Sequence, residues 1–362
     1  MNEQTKQALF EKNNRIIEAV KARAERLCPA ALDLIAVTGS FASGDYHEKS
    51  DLDLLIVIGD DRGFALSHCF ILGDVGYDLY CHTWEHLENA AAYESPFVSK
   101  LLDAQIVYSR NDATHQRFTD ISDILRRHLA SPLTASDCAH AVGHLQAAKQ
   151  AYFDLAAAGE SGGYPYAVCK ILHALSSAVY LLNHAVVCHG VRGIPTELEH
   201  LPSLPDAFLS LHASLITDLP YDKIQMAAMT LIRNTERWIS AHLENVCPRA
   251  PADAEHLRGT YEELVSNYQN KLSRAAATDD RYLSQMTLAS AQLFFEEVGG
   301  AVNVLLPHSF DASAYSIPGA AVDAFRLAME QYAAQYDKAG LAVCRYDSTD
   351  AFENAYIHAK TE

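Results

Sequence analysis

Asp51 and Asp53 stand two residues apart at the head of an apolar run, Leu54 to Ile58. Alternate residues of a strand face the same way, so the two carboxylates converge on one point. Two hard oxygen donors held like this suit Mg²⁺, which keeps coordination positions for phosphate oxygens. Upstream, a second apolar run, Leu34 to Val37, ends in Thr38, Gly39 and Ser40. A residue without Cβ at such a turn lets the backbone approach a ligand closely, and the next amide and hydroxyl can donate to phosphate oxygens. A helix starting there adds a partial positive end toward the same phosphates. Asp78 lies inside a third apolar run, Val75 to His82. A carboxylate in an apolar strand implies a partner or a cleft. On a neighbouring strand it would reach the same metals and could accept the proton of an attacking hydroxyl.

The elements that must hold these residues follow from periodicity. Leu9, Ile16, Ile17, Val20 and Leu27 fall at helical spacing within residues 4–27, ahead of the first strand. Three strands within fifty residues, flanked by helical patterns, predict an α+β domain over residues 1–115. From residue 120 the chain turns alanine- and leucine-rich, and helices are expected near 117–130, 135–158, 165–189, 205–217, 222–246, 252–275, 280–298 and 318–338. Glu160 to Gly163 reads as a loop, with Pro165 suited to the first turn of the next helix. Cys247 to Pro251 reads as a linker, which separates a helical bundle domain at 116–247 from a further helical region at 252–362.

Composition narrows the class. The chain has 362 residues, 49% of them hydrophobic and 20% charged. No apolar run near the roughly 20 residues of a membrane helix stands out, and no charged-then-apolar leader opens the chain. A soluble, cytoplasmic protein without a membrane partner is the expectation. Eight cysteines occur singly, without a CxxC pair, and read as reduced thiols. Twenty-eight basic residues against 46 acidic ones, a net charge of −18, argue against a broad nucleic-acid surface and suit a small, even cationic, substrate.

The segment Val37-Thr-Gly-Ser-Phe-Ala-Ser-Gly, followed by Ser50-Asp-Leu-Asp-Leu54, resembles the DNA polymerase β-like nucleotidyltransferase superfamily. In its fuller form it looks like the branch holding kanamycin, streptomycin and lincosamide nucleotidyltransferases and the minimal nucleotidyltransferases. The likeness covers about residues 35–82. It implies transfer of a nucleoside monophosphate, usually AMP from ATP, to a hydroxyl, with pyrophosphate leaving. It further implies two Mg²⁺ ions on Asp51 and Asp53, with Asp78 on the second metal or acting as base. Gly39, Ser40 and Ser50 would bind the nucleotide, a mixed sheet would carry the metal site, and a following helical bundle would close the cleft. Lys149 and Lys170 lie on helices from which an ammonium would neutralise the triphosphate, Lys149 being the chosen nucleotide-binding residue.

Other patterns carry less. His184, His189, His200 and His212 lack the spacing of a zinc-protease motif and read as surface or core residues. Tyr261, Tyr268, Tyr332 and Tyr336 fall at helical spacings that packing explains. The expected partners are a nucleoside triphosphate and a small hydroxyl-bearing acceptor, with a homodimer compatible. Two alternatives stay open: AMP transfer to a protein side chain, and a non-catalytic nucleotide-binding regulatory module.

Overall fold

A computed structural model describes residues 3–160, 162–217, 219–247, 254–302 and 310–358. Its contacts divide the chain into two compact units, Met1–Cys247 and Pro248–Glu362.

The first unit begins with helix α1 (Glu3–Leu27), which buries Leu9, Ile16, Ile17, Val20 and Ala24. Strand β1 (Leu32–Val37), a short helix α2 (Gly39–Ser43) and strand β2 (Leu54–Ile58) follow. The hairpin β3 (His68–Leu72) and β4 (Val75–Leu79) precedes β5 (Cys81–Thr83), α3 (Trp84–Ala91), β6 (Gln105–Ser109) and α4 (Asp112–Leu129). Four strands make one mixed sheet in the order β5-β2-β1-β6, with β1 antiparallel to both neighbours and β2 parallel to β5.

Strand β2 is apolar throughout because both its faces are covered. Leu54, Ile56 and Ile58 pack with Ile16, Ile17 and Val20 of α1, whereas Leu55 and Val57 pack with Leu87 of α3 and Phe118 and Ile121 of α4. That sandwich of helix, sheet and helices is the expected α+β architecture. The expected single strand over Val75–His82 is in fact two. Residues Val75–Leu79 pair with β3 in a separate two-stranded sheet, and the chain joins β2 only from Cys81. Strands β3 and β6 were not expected. β3 is held by its pairing with β4 and only Phe70 is half-buried, while β6 is a partly exposed edge, so neither shows a clean burial alternation.

A bundle of α5 (Ala135–Ala158), α6 (Tyr164–Leu182) and α9 (Tyr221–Val246) follows, with α7 (Gly190–Leu198) and α8 (Phe208–Ser214) between the last two. Thr134 starts α5 with a capping box to Asp137. Helix α6 is long and apolar enough to cross a membrane, a stretch missed on reading the sequence, and 72% of its apolar window is buried inside the protein. It supplies Ile171, Leu175 and Val179 to a core shared with Leu145 of α5 and Leu231 of α9. α6 stops at Leu182, short of the expected 189, because Asn183 turns its amide onto Val179 O and Ser203 O, each at 2.8 Å, and His184 takes φ +47. The expected boundary at residue 115 falls inside this unit: Leu181 of α6 is fully buried among the sheet-side residues Leu34, Trp84 and Leu125.

In the second unit, α10 (Ala254–Leu257), α11 (Thr260–Leu264), α12 (Asn270–Thr278), α13 (Arg281–Val302), α14 (Pro318–Lys338) and α15 (Thr349–His358) are helical. The tyrosines flagged by spacing pack here: Tyr332 and Tyr336 are buried, and Tyr336 Oη donates to Leu257 O at 2.6 Å. Residues 248–251 of the expected linker and Ser161 of the expected loop lie outside the described residues.

Candidate active site

The turn after β1 and the Asp-x-Asp segment before β2 are fastened by backbone. Asp53 O accepts Thr38 N at 3.0 Å and Thr38 Oγ1 at 3.4 Å. Gly39 follows with φ +63, and a Cβ built on it would fall 2.0 Å from Asp53 Oδ2. The turn can lie against the carboxylate only because residue 39 has no side chain. Gly39→Ala adds a clash and backbone strain of about 1–2 kcal/mol. We expect it to weaken Mg²⁺-dependent ATP binding at least ~10-fold in titration calorimetry; unchanged affinity would show that this turn does not touch the nucleotide.

Asp53 is exposed to solvent where it lines the cleft. Burial of the rest of its surroundings, then the charges of Asp51 and Asp103, push its carboxyl up to about 6. Leu52, between the two motif aspartates, is buried and anchors them. The carboxyl pKa of Asp103, just before β6, is itself raised by burial, and its Oδ1 is buried without a hydrogen-bond partner among the described residues. No sequence pattern marks Asp103; antiparallel pairing of β6 with β1 brings its neighbour Gln105 opposite Val37. Oxygen donors that repel one another suit a hard divalent cation, which would relieve that repulsion, but Asp51, Asp53 and Asp103 do not have their ligand atoms all within 4.8 Å of one another.

A cleft of about 410 Å³ opens at Asp53; Asp51 and Asp103 are not among the residues that line it. Gly39, Ser40, Asp53, Lys100, His189 and Arg192 all line it. Burial lowers the ammonium pKa of Lys100. Arg192, on α7, forms an ion pair with Asp45, which follows α2. Residues 187–192 come from the bundle half of this unit, so the two halves share the cleft.

The remaining expected residues lie elsewhere. Asp78 is exposed on the outer hairpin and accepts a hydrogen bond from Cys69 Sγ at 3.1 Å. Among the described residues, Asp51, Asp53 and Asp78 do not form a group with all ligand atoms within 4.8 Å of one another. β4 pairs with β3 instead of continuing along β2, and this keeps Asp78 on the hairpin. Ser50 closes a local turn, its Oγ accepting His47 N at 2.9 Å, and does not line the cleft. Lys149 is ion-paired with Glu236 across α5 and α9 and Lys170 with Asp154, so the cleft's lysine is Lys100 instead.

One cluster of three does have all its ligand atoms within 4.8 Å: His128, Asp137 and His184. Asp137 accepts His128 Nε2 at 2.8 Å, His184 Nε2 at 3.2 Å, and both the amide and the hydroxyl of Thr134 at 2.7 Å. His184 Nδ1 faces Ser131 O at 3.0 Å. With its carboxylate saturated, this cluster clasps the ends of α4, α5 and α6.

Residues 14–104 match the nucleotidyltransferase domain family. No curated protein matches the chain. A crystal structure of a nucleotidyltransferase-like protein from Exiguobacterium sibiricum 255-15 is similar over 78% of this chain and 91% of that one, at 14% identity and a TM-score of 0.39.

Proposed function

We propose that this transferase, built on a nucleotidyltransferase domain, moves a nucleoside monophosphate, AMP from ATP, onto a hydroxyl of a small molecule and releases pyrophosphate. The observation that carries the reading is one cleft lined by Asp53, which lies against Gly39, and by the half-buried Lys100. Carboxylates suited to a cation and an ammonium suited to an anion are what a metal-bound triphosphate requires on its two flanks.

In this reading Asp51 and Asp53 hold Mg²⁺, two ions in the full site, which supplies charge neutralisation at the triphosphate. Gly39 and Ser40 let the backbone meet the phosphates, and Lys100 takes the role expected of Lys149. Asp78 and Ser50 take no part in it. The acidic balance of the chain favours a cationic acceptor, such as an aminoglycoside-like polyol, as in the antibiotic-modifying branch that the motif resembles.

The test is pyrophosphate release from ATP, GTP, CTP and UTP with Mg²⁺ over aminoglycosides, lincosamides and simple polyols. Acceptor-dependent release that vanishes in an Asp51→Asn, Asp53→Asn double variant is expected. Triphosphate binding without release would favour a protein acceptor or a regulatory module instead, and absence of binding would sink nucleotide chemistry altogether.

A further inference from the structure

Transfer to a hydroxyl needs a group that removes its proton, and the hairpin position of Asp78 leaves that task open. His189, read from sequence as an incidental histidine, lines the cleft together with Asp53 and Lys100. It precedes the first turn of α7, and its Nδ1 lies 2.7 Å from Glu197 Oε1, two turns along the same helix. Glu197 is heavily engaged. Oε1 also accepts His189 N at 2.8 Å, while Oε2 accepts Tyr180 Oη at 2.8 Å and Cys188 N at 3.2 Å. Burial opposes its charge, yet the hydrogen bonds from Tyr180, His189 and Cys188 outweigh that and hold the carboxyl below its ordinary value.

An ionised carboxylate only accepts hydrogen bonds. In the neutral imidazole the proton therefore sits on Nδ1, and the lone pair is left on Nε2, which has no hydrogen-bond partner among the described residues. Gly193 makes this arrangement possible. Residues 189, 193 and 197 share one helix face, and a Cβ at 193 would lie 2.5 Å from His189 Cβ and 2.7 Å from Glu197 Oε1. Of the other charged groups in the cleft, Asp53 is assigned to the cation in the reading above, Asp45 is paired with Arg192, and Lys100 is a cation itself.

We propose that His189, oriented by Glu197, is the general base that deprotonates the acceptor hydroxyl. The inference rests on the transfer reading above. As the acceptor oxygen bonds to the α-phosphorus, its proton passes to His189 Nε2. The bond from the α-phosphorus to the bridging oxygen breaks, that oxygen leaves with pyrophosphate, and the imidazolium returns its proton to solvent. Glu197 is a positioning residue, fixing the tautomer and the ring plane.

The experiment uses the full chain with Mg·ATP and kanamycin, lincomycin or sorbitol as hydroxyl probes, read by pyrophosphate release and by titration calorimetry of ATP. His189→Ala is expected to lower kcat about 100-fold with ATP affinity unchanged, and added imidazole to restore part of the loss. Glu197→Gln is expected to lower kcat and to shift the ¹⁵N resonances of the His189 ring away from the Nδ1–H tautomer seen in the parent. An active parent with an equally active His189→Ala variant would overturn the base assignment and leave the transfer reading standing. A parent that releases no pyrophosphate with any probe and any of the four triphosphates would overturn the transfer reading, and the dyad's catalytic role with it. An Nε2–H ring in the parent would contradict the geometry independently of activity.

Discussion

Asp53→Asn removes nucleotidyl transfer, with a loss of about 1,000-fold or more in kcat/KM and no loss of fold. The reasoning is electrostatic. Asp53 lies under the Gly39 turn, and its carboxylate shares its surroundings with the charges of Asp51 and Asp103. An amide of the same shape keeps the backbone link to Thr38, which uses only the Asp53 carbonyl, but supplies no charge to a cation. Manganese binding followed by electron paramagnetic resonance separates this from a folding defect. The variant should bind Mn²⁺ at least ~10-fold more weakly while its melting temperature does not fall. A variant that binds metal like the parent would remove Asp53 from the site.

The raised pKa gives this prediction a pH signature. Below about pH 6 the Asp53 carboxyl holds a proton that a cation must displace. Affinity should be flat above that pH and fall by up to ~10-fold per unit below it. The sign for stability is the reverse of the usual carboxylate case. A folded-state pKa above the unfolded one means that the metal-free protein binds more protons than the unfolded chain, so this residue disfavours folding at neutral pH. That penalty fades as pH falls through about 6 toward the unfolded value of 3.8. Metal-free Asp53→Asn should therefore be at least as stable as the parent at pH 7, and the difference should vanish near pH 4.

The half of the site that is local in sequence was legible. A tight turn after one strand and two aspartates before the next are each set by neighbouring residues, and β2 announces itself as Leu54-Leu-Ile-Val-Ile58 because both its faces are buried. The far wall of the cleft was not legible. His189 and Arg192 stand on α7, which carries Gly190, Gly193 and Pro195, residues that argue against a helix. The preceding helix stops at a His with positive φ, where no glycine signals the end, so the apolar pattern seemed to run on to residue 189. Lys100 lines the cleft and Lys149 does not for the same reason: which lysine reaches the cleft depends on long-range packing, and Lys149 is occupied by Glu236 from a helix nearly ninety residues away. The third strand misled because its apolar alternation suits either a hairpin or the central sheet. Only pairing partners decide between them, and they divide the run at Tyr80.

Asp137→Ala is expected to be among the most damaging single changes to the first unit, costing about 3–5 kcal/mol and about 10 °C in melting temperature. The side chain is almost fully buried and accepts four hydrogen bonds, from His128, His184 and both donors of Thr134. Truncation leaves those donors facing a cavity and removes the capping box that starts α5. The clasp lies where the sheet half meets the bundle: His128 closes α4, Asp137 opens α5, and His184 follows α6, with Tyr93 bracing them by donating to Ala185 O at 2.6 Å. Burial works against the charge of Asp137, but the bonds from Thr134, His128 and His184 prevail and hold its carboxyl below the ordinary value. A depressed folded-state pKa stabilises the protein above the unfolded carboxylate value, and that contribution is lost as pH falls through the folded one. The parent should thus lose stability below about pH 4 more steeply than Asp137→Asn, which has no carboxylate to protonate. Because residues 187–192 hang from the same end of α6, loosening the clasp should also spread the cleft and weaken ATP binding. Thermal melts across pH with ATP titrations on the same samples check both parts, and an Asp137→Ala protein that melts with the parent would show that the cluster does not hold the two halves together.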